Sequence, residues 1–139
     1  MREEVILDIQ RLLTLRDEEV VEAVRKFRYG GQRIRCPYCG STEVVRIGFI
    51  TRKGGFKLHR FKCKSCGRTF NELDGTPLSG VHSLKRVMLI AYLALYLKLT
   101  PSTIKVIVDL NHSTLLRLYK KVVNNKEFFT NLLEILLNE

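Results

Sequence analysis

Apolar residues recur along this chain with two different periods. Val5, Ile6, Ile9, Leu12 and Leu13 fall at helical spacing, and Val20, Val21, Val24 and Phe27 repeat the pattern in a second helix. Thr14 followed by Asp17 offers a start signal like a capping box, with Asp in the place of Glu. Gly30-Gly31 stops that helix and begins a linker. The period then changes. Residues 44–50 are rich in strand formers, residues 51–55 hold a Gly-Gly turn, and residues 56–62 read as the returning strand. Phe49, Phe56, Phe61 and Phe70 are read as the small core of this hairpin rather than as stacking platforms for bases.

After the turn Asp74-Gly75-Thr76-Pro77 the pattern is helical again. Ser83 can cap a helix running to about residue 97, apolar on almost every side and therefore central to what surrounds it. Lys98-Leu99 ends it. Thr100 as N-cap and Pro101 at the first helical position start another helix, to about residue 109. Leu110-Asn111-His112 is a short break, and Asn111 can cap a helix over about 113–123. The last segment, residues 128–137, has seven apolar residues in ten. The longest apolar run, residues 87–97, is 11 residues, against the roughly 20 that a membrane span needs.

Four cysteines add chemistry to the hairpin. They form two Cys-x-x-Cys-Gly knuckles, Cys36-Pro-Tyr-Cys39-Gly and Cys63-Lys-Ser-Cys66-Gly, with 23 residues between Cys39 and Cys63. Zinc takes four soft ligands in a tetrahedron, and a two-residue gap brings two sulfurs from one tight turn to one ion. The alternatives are two disulfides or a redox pair. No signal peptide is visible at the N-terminus, and a redox motif normally uses a single Cys-x-x-Cys, so one structural Zn2+ on Cys36, Cys39, Cys63 and Cys66 is the expectation. His59 is a substitute ligand only if one thiol is excluded. The expected fold is α+β and mostly helical. An N-terminal helical segment covers residues 1–31, a small four-cysteine zinc ribbon residues 32–74, and a helix-turn-helix bundle residues 75–139.

Charge singles out the ribbon. The net charge of +10 divides into −2 over residues 1–27, +9 over residues 28–72 and +3 over residues 73–139. So dense a positive charge on a β-ribbon, with no basic amphipathic helix, points to nucleic acid rather than to a membrane. Arg46, Arg52, Lys53, Lys57, Arg60, Lys62 and Lys64 are the expected phosphate contacts. In the helical bundle Ile104, Val108, Leu110, Leu115 and Leu118 stand where inward-facing residues are needed. His112, Ser113, Thr114, Arg117, Lys120 and Lys121 fall toward the exposed side of the second short helix, with residue types that contact base edges and phosphates.

The spacing of these features resembles a known family. Cys36-Pro-Tyr-Cys39-Gly-Ser, Val45-x-x-Gly48, Arg60-Phe-Lys-Cys63-Lys-x-Cys66-Gly-Arg-Thr-Phe70 and Gly75-Thr-Pro-Leu78 resemble the N-terminal zinc ribbon of insertion-sequence transposases. The resemblance covers roughly residues 34–123. It implies zinc on the four cysteines and DNA reading by the helix near residues 112–121. Those transposases continue into an acidic-triad domain that binds two magnesium ions. Here the acids after the ribbon are Glu72, Asp74, Asp109, Glu127, Glu134 and Glu139, with no αβ scaffold to converge them. The expectation is therefore a non-enzymatic, cytoplasmic and nucleoid-associated protein that binds double-stranded DNA, a transcriptional regulator related to a transposase DNA-binding region. The other readings are a protein-interaction adaptor and a DNA-binding subunit whose catalytic domain lies on another chain. Phe128, Phe129, Leu132, Leu133, Ile135, Leu136 and Leu137 either pack within the chain or form a homodimer interface together with the N-terminal helices.

Overall fold

A computed structural model describes residues 2–52 and 55–138. Helix α1 (Arg2–Leu13) and helix α2 (Asp17–Tyr29) precede a sheet of β1 (Val44–Thr51), β2 (Lys57–Cys63) and β3 (Thr69–Asn71). Helices α3 (Leu84–Ala91), α4 (Pro101–Ile107), α5 (His112–Val123) and α6 (Lys126–Leu137) follow. The fold is α+β and mostly helical. Two compact units result: residues 1–16 with 83–139, and residues 17–82. The two N-terminal helices thus part company. The first belongs to the helical unit and the second to the ribbon, where the hydropathy pattern placed both in one segment.

The helical unit forms around α3, whose Leu84, Val87, Met88, Ile90 and Ala91 are all buried. Helices α1, α5 and α6 pack on it, and α4 packs on α5. After Ala91 the helix widens into a π turn over Tyr92–Tyr96, with the Leu97 amide bonded to the Tyr92 carbonyl at 3.3 Å. The expected single helix to about residue 97 is corrected to that extent. Lys98 then takes a positive φ of 56° and ends it. The buried Tyr92 hydroxyl donates to Asp8 of α1 at 2.9 Å. Thr14 does not cap α2. Its hydroxyl donates back to the carbonyls of Gln10 and Arg11, at 3.0 and 3.2 Å, and so closes α1. The stripe on α6 is satisfied inside the unit, with Phe129, Leu132, Leu133 and Leu136 buried. The large apolar residues left exposed in this unit are Ile6, Leu7 and Leu13 on α1, Val106 and Ile107 on α4, and Tyr96.

In the ribbon unit β1, β2 and β3 pair antiparallel in that order. The third strand was not anticipated from the sequence. The β1–β2 register slips between Arg46 and Gly48, so that Ile47 is the extra residue of a bulge. A bulge reverses the alternation beyond it. Arg46, Phe49 and Thr51 therefore share one face, opposite Phe61, His59 and Lys57 respectively. Phe56, Phe61 and Phe70 are buried, as expected of a core. Phe49 is not. It is 61% exposed, although the bulge sets it on the same face as Phe61.

Candidate zinc centre and nucleic-acid interface

The two knuckles have the same backbone wiring. The Cys36 amide donates to the Ser41 carbonyl and the Gly40 amide to the Cys36 carbonyl, both at 2.9 Å. The Cys63 amide donates to the Arg68 carbonyl at 2.9 Å and the Gly67 amide to the Cys63 carbonyl at 2.8 Å. Each turn closes on a glycine with positive φ, 77° at Gly40 and 78° at Gly67, a region that penalises any residue with a Cβ. The Ser41 and Ser65 hydroxyls, 2.8 Å apart, link the turns, and the Lys64 amide donates to the Glu43 carbonyl at 2.7 Å.

This wiring aims four free thiols at one point. Their sulfurs all lie within 4.8 Å of one another. Across the knuckles Cys36 Sγ stands 3.7 Å from Cys66 Sγ, and Cys39 Sγ 3.5 Å from Cys63 Sγ. A tetrahedron with Zn–S bonds near 2.3 Å has edges of about 3.8 Å, so the set fits one zinc ion. Cys36 and Cys63 are buried against Phe61 and Phe70, with Ile34 and Val44 packed alongside, while Cys39 and Cys66 are exposed. Backbone amides favour the thiolate form. The Cys66 amide holds the Cys63 thiol down to about 6, helped by the Cys39 thiol and the Ser65 amide and opposed by burial. Burial pushes the Cys36 thiol up, but the Tyr38 and Cys39 amides outweigh it and leave it lowered. At Cys39 the Ser41 amide lowers the thiol, yet the hydrogen bond with Cys63 together with burial carries it up to about 12. These are the ligands of one structural Zn2+, and its coordination supplies folding energy to a module too small for a large core.

His59 is not in that set. It belongs to a buried polar cluster that joins α2 to the ribbon. The Glu72 carboxylate, whose side chain is 1% exposed, accepts from Arg25 Nε and from the His59 backbone amide, the latter at 2.7 Å. The His59 ring touches both partners, with Nδ1 at 3.0 Å from Arg25 Nη2 and 3.2 Å from Glu72. Arg25 also reaches Glu22 on its own helix. One turn on, Arg28 Nη1 donates to the carbonyls of Glu72 and Asp74 at 2.9 and 2.8 Å. Sequence reasoning missed this cluster. Its signal was Glu72 itself, one of only two acids in residues 28–72.

The expected phosphate contacts do not form one surface. Paired residues share a face, so Arg46 and Lys57 stand on one side of the β1–β2 ribbon and Arg60 and Lys62 on the other. Lys64 is exposed in the second knuckle, and Arg52 follows β1. Lys53 lies outside the described residues. Lys57 Nζ sits 5.8 Å from the centre of the exposed Phe49 ring, and that ring lies 5.0 Å from the His59 ring.

In the helical unit Asn111 caps α5 as the sequence indicates, its side chain accepting from the Thr114 amide at 2.8 Å. Ile104, Val108, Leu115 and Leu118 are buried and Leu110 is half-buried. His112, Ser113, Arg117 and Lys120 are exposed, while Thr114 and Lys121 are half-buried. Thus α4, a four-residue break and α5 stand together with a polar face on α5. No described helix is long and apolar enough to cross a membrane. No curated protein and no solved structure matches the chain. Residues 15–69 match the family model of the transposase zinc-ribbon domain, a stretch that takes in α2 as well as both knuckles. With its four convergent thiols, this segment is a zinc-binding domain similar to the zinc ribbons of transposases.

Proposed function

We propose that the protein binds double-stranded DNA and acts as a transcriptional regulator related to the DNA-binding region of a transposase. The observation that carries this reading is a set of exposed cations, distributed over both faces of a ribbon similar to those of transposases. Arg46, Arg60, Lys62 and Lys64 are all exposed, and among the described residues none of them is paired with a carboxylate. Cations left free on a folded surface are what phosphate neutralisation requires. The capped α5, with His112, Ser113, Arg117 and Lys120 on its outer face, supports a helix-turn-helix role for the second unit. Base readout belongs to α5 and backbone contact to the ribbon. The reading assigns no strand cleavage to these residues.

The test is fluorescence anisotropy of the zinc-loaded protein with labelled duplexes across a salt series. The expected result is a linear fall of log K with log salt, about −0.9 for each phosphate contacted. Arg117→Ala together with Lys120→Ala removes preference between duplex sequences without altering zinc content. A flat salt response sinks the DNA reading. Unchanged sequence preference in the variant sinks the role given to α5.

A further inference from the structure

One concavity on the ribbon unit has the chemistry of a binding site and belongs to neither the zinc centre nor the α5 surface. A cleft of about 340 Å³ opens between the strap entering the first knuckle and β1. It is lined by Arg33, Ile34, Thr42, Val44, Arg46 and Phe61. Its floor is apolar, because Ile34 and Val44 pack on the Phe61–Phe70 cluster that also buries Cys36 and Cys63. Its rim is cationic. Arg33 and Arg46 are exposed, and neither guanidinium nor the Thr42 hydroxyl has a partner among the described residues.

Three other arginines of the unit are engaged, while Arg60 stands exposed on the opposite face of the ribbon from Arg46. Arg28 holds the Glu72 and Asp74 carbonyls, Arg35 approaches the Gly40 carbonyl at 3.5 Å, and Arg68 lies 4.8 Å over the Tyr38 ring. The cleft is therefore the place where two unengaged guanidinium forks and a hydroxyl donor meet over an apolar floor. None of its described lining residues is acidic, so it offers nothing to a cation. Paired forks match the oxygens of a phosphate, and the apolar floor matches the sugar attached to it.

We propose that this cleft seats one backbone phosphate of bound DNA between Arg33 and Arg46, with the adjoining deoxyribose against Ile34 and Val44. This rests on the DNA-binding reading above and adds Arg33, outside the strands, as a contact residue. A phosphate held by two arginines has a distinctive energetic signature. Removing either arginine weakens the contact. Removing both releases one phosphate, not two.

The experiment compares Arg33→Ala, Arg46→Ala and the double variant with the unaltered zinc-loaded protein on a mixed-sequence duplex across a salt series. Both side chains are exposed, so zinc content and unfolding midpoint stay the same and confirm the fold. The double variant should lose about 0.9 from the slope of log K against log salt, equally on every duplex. The lysine pair, Arg33→Lys with Arg46→Lys, should restore most of that slope without the full affinity. A loss of about 1.8 in the double variant means two separate phosphates and overturns the shared seat. A double variant equal to the unaltered protein on DNA overturns the cleft and leaves the DNA reading standing. If that variant instead loses binding to a polyglutamate peptide, the cleft serves protein carboxylates and the proposal is wrong. An unaltered protein with no salt-dependent affinity for any duplex removes the DNA reading, and the cleft proposal with it.

Discussion

Replacing Arg25 by Met should destabilise the ribbon unit more than replacing its partner Glu72 by Gln. The pair is asymmetric: the Glu72 side chain is 1% exposed and that of Arg25 31%. Met keeps most of the arginine's packing but leaves a carboxylate buried beside the His59 amide at 2.7 Å, with its strongest counter-charge gone. Stranding one member of a buried pair costs about 3–5 kcal/mol, and the retained amide donor places this case near 3 kcal/mol. Gln at 72 still accepts from the His59 amide. Arg25 keeps Glu22 and can draw on water, so the loss is one charged hydrogen bond at the low end of its range, about 1.5 kcal/mol. The assay is urea unfolding of the zinc-loaded protein by far-UV circular dichroism, with hydrogen exchange of the β2 amides to assign the loss to this unit. With a slope near 2 kcal/mol per molar, Arg25→Met should move the ribbon midpoint by roughly 1.5 M. Two variants that each cost less than about 1 kcal/mol, as exposed ion pairs do, refute the reasoning. So does a Glu72→Gln variant that costs more than Arg25→Met.

Other consequences can be checked directly. The protein should carry one zinc per chain by elemental analysis, and a strong chelator should unfold the ribbon while the α3–α6 amides stay protected from exchange. Phe49→Ala should shift stability by less than about 0.5 kcal/mol, whereas Phe61→Ala, in the buried cluster with Phe70, should cost about 3–5 kcal/mol in the same urea assay. Tyr92→Phe removes the bond to Asp8 and should cost the helical unit about 1–2 kcal/mol. Burial, aided by that bond, pushes the Tyr92 hydroxyl up to about 12. The folded state therefore favours the neutral phenol. That stability is complete below the unfolded value of about 10 and is lost as pH rises toward the folded one, so urea midpoints should fall over this window in the unaltered protein and much less in Tyr92→Phe.

Local signals in the sequence were legible where one residue type determines one backbone feature. Asn111 before a helix, Pro101 at a first turn and glycine after each knuckle all act within a few residues of themselves. The zinc centre was legible for the same reason, since each half is a four-residue turn. Features that depend on distant partners were not. Arg25 and Glu72 are 47 residues apart, and nothing in either neighbourhood announces the other. β3 has three residues, too few to show a period. The π turn falls in a stretch that is apolar on every side, so a change in residues per turn leaves no trace in the pattern. Phe49 was read as core with the other phenylalanines by residue type alone, and type does not report exposure, which is 61% there. The expected phosphate contacts were chosen by charge alone. Pairing register, which distributes them over two faces, is a property of the sheet and not of the residues.

The split of the chain into units has a consequence for its synthesis. The helical unit is discontinuous: residues 1–16 are made before the ribbon, but the helices they pack against begin at Leu84. Leu12 and Leu15, almost fully covered in the finished fold, leave the ribosome with no surface to bury against. The ribbon is contiguous and completed in between, so it can take up its metal before the first helix finds its place. Metal supply therefore acts on the nascent chain early. Docking of α1 comes last and closes a loop that spans the whole ribbon. Starved of zinc, a translating ribosome would release a chain whose first helix is still tethered to its partners by 66 unfolded residues, residues 17–82.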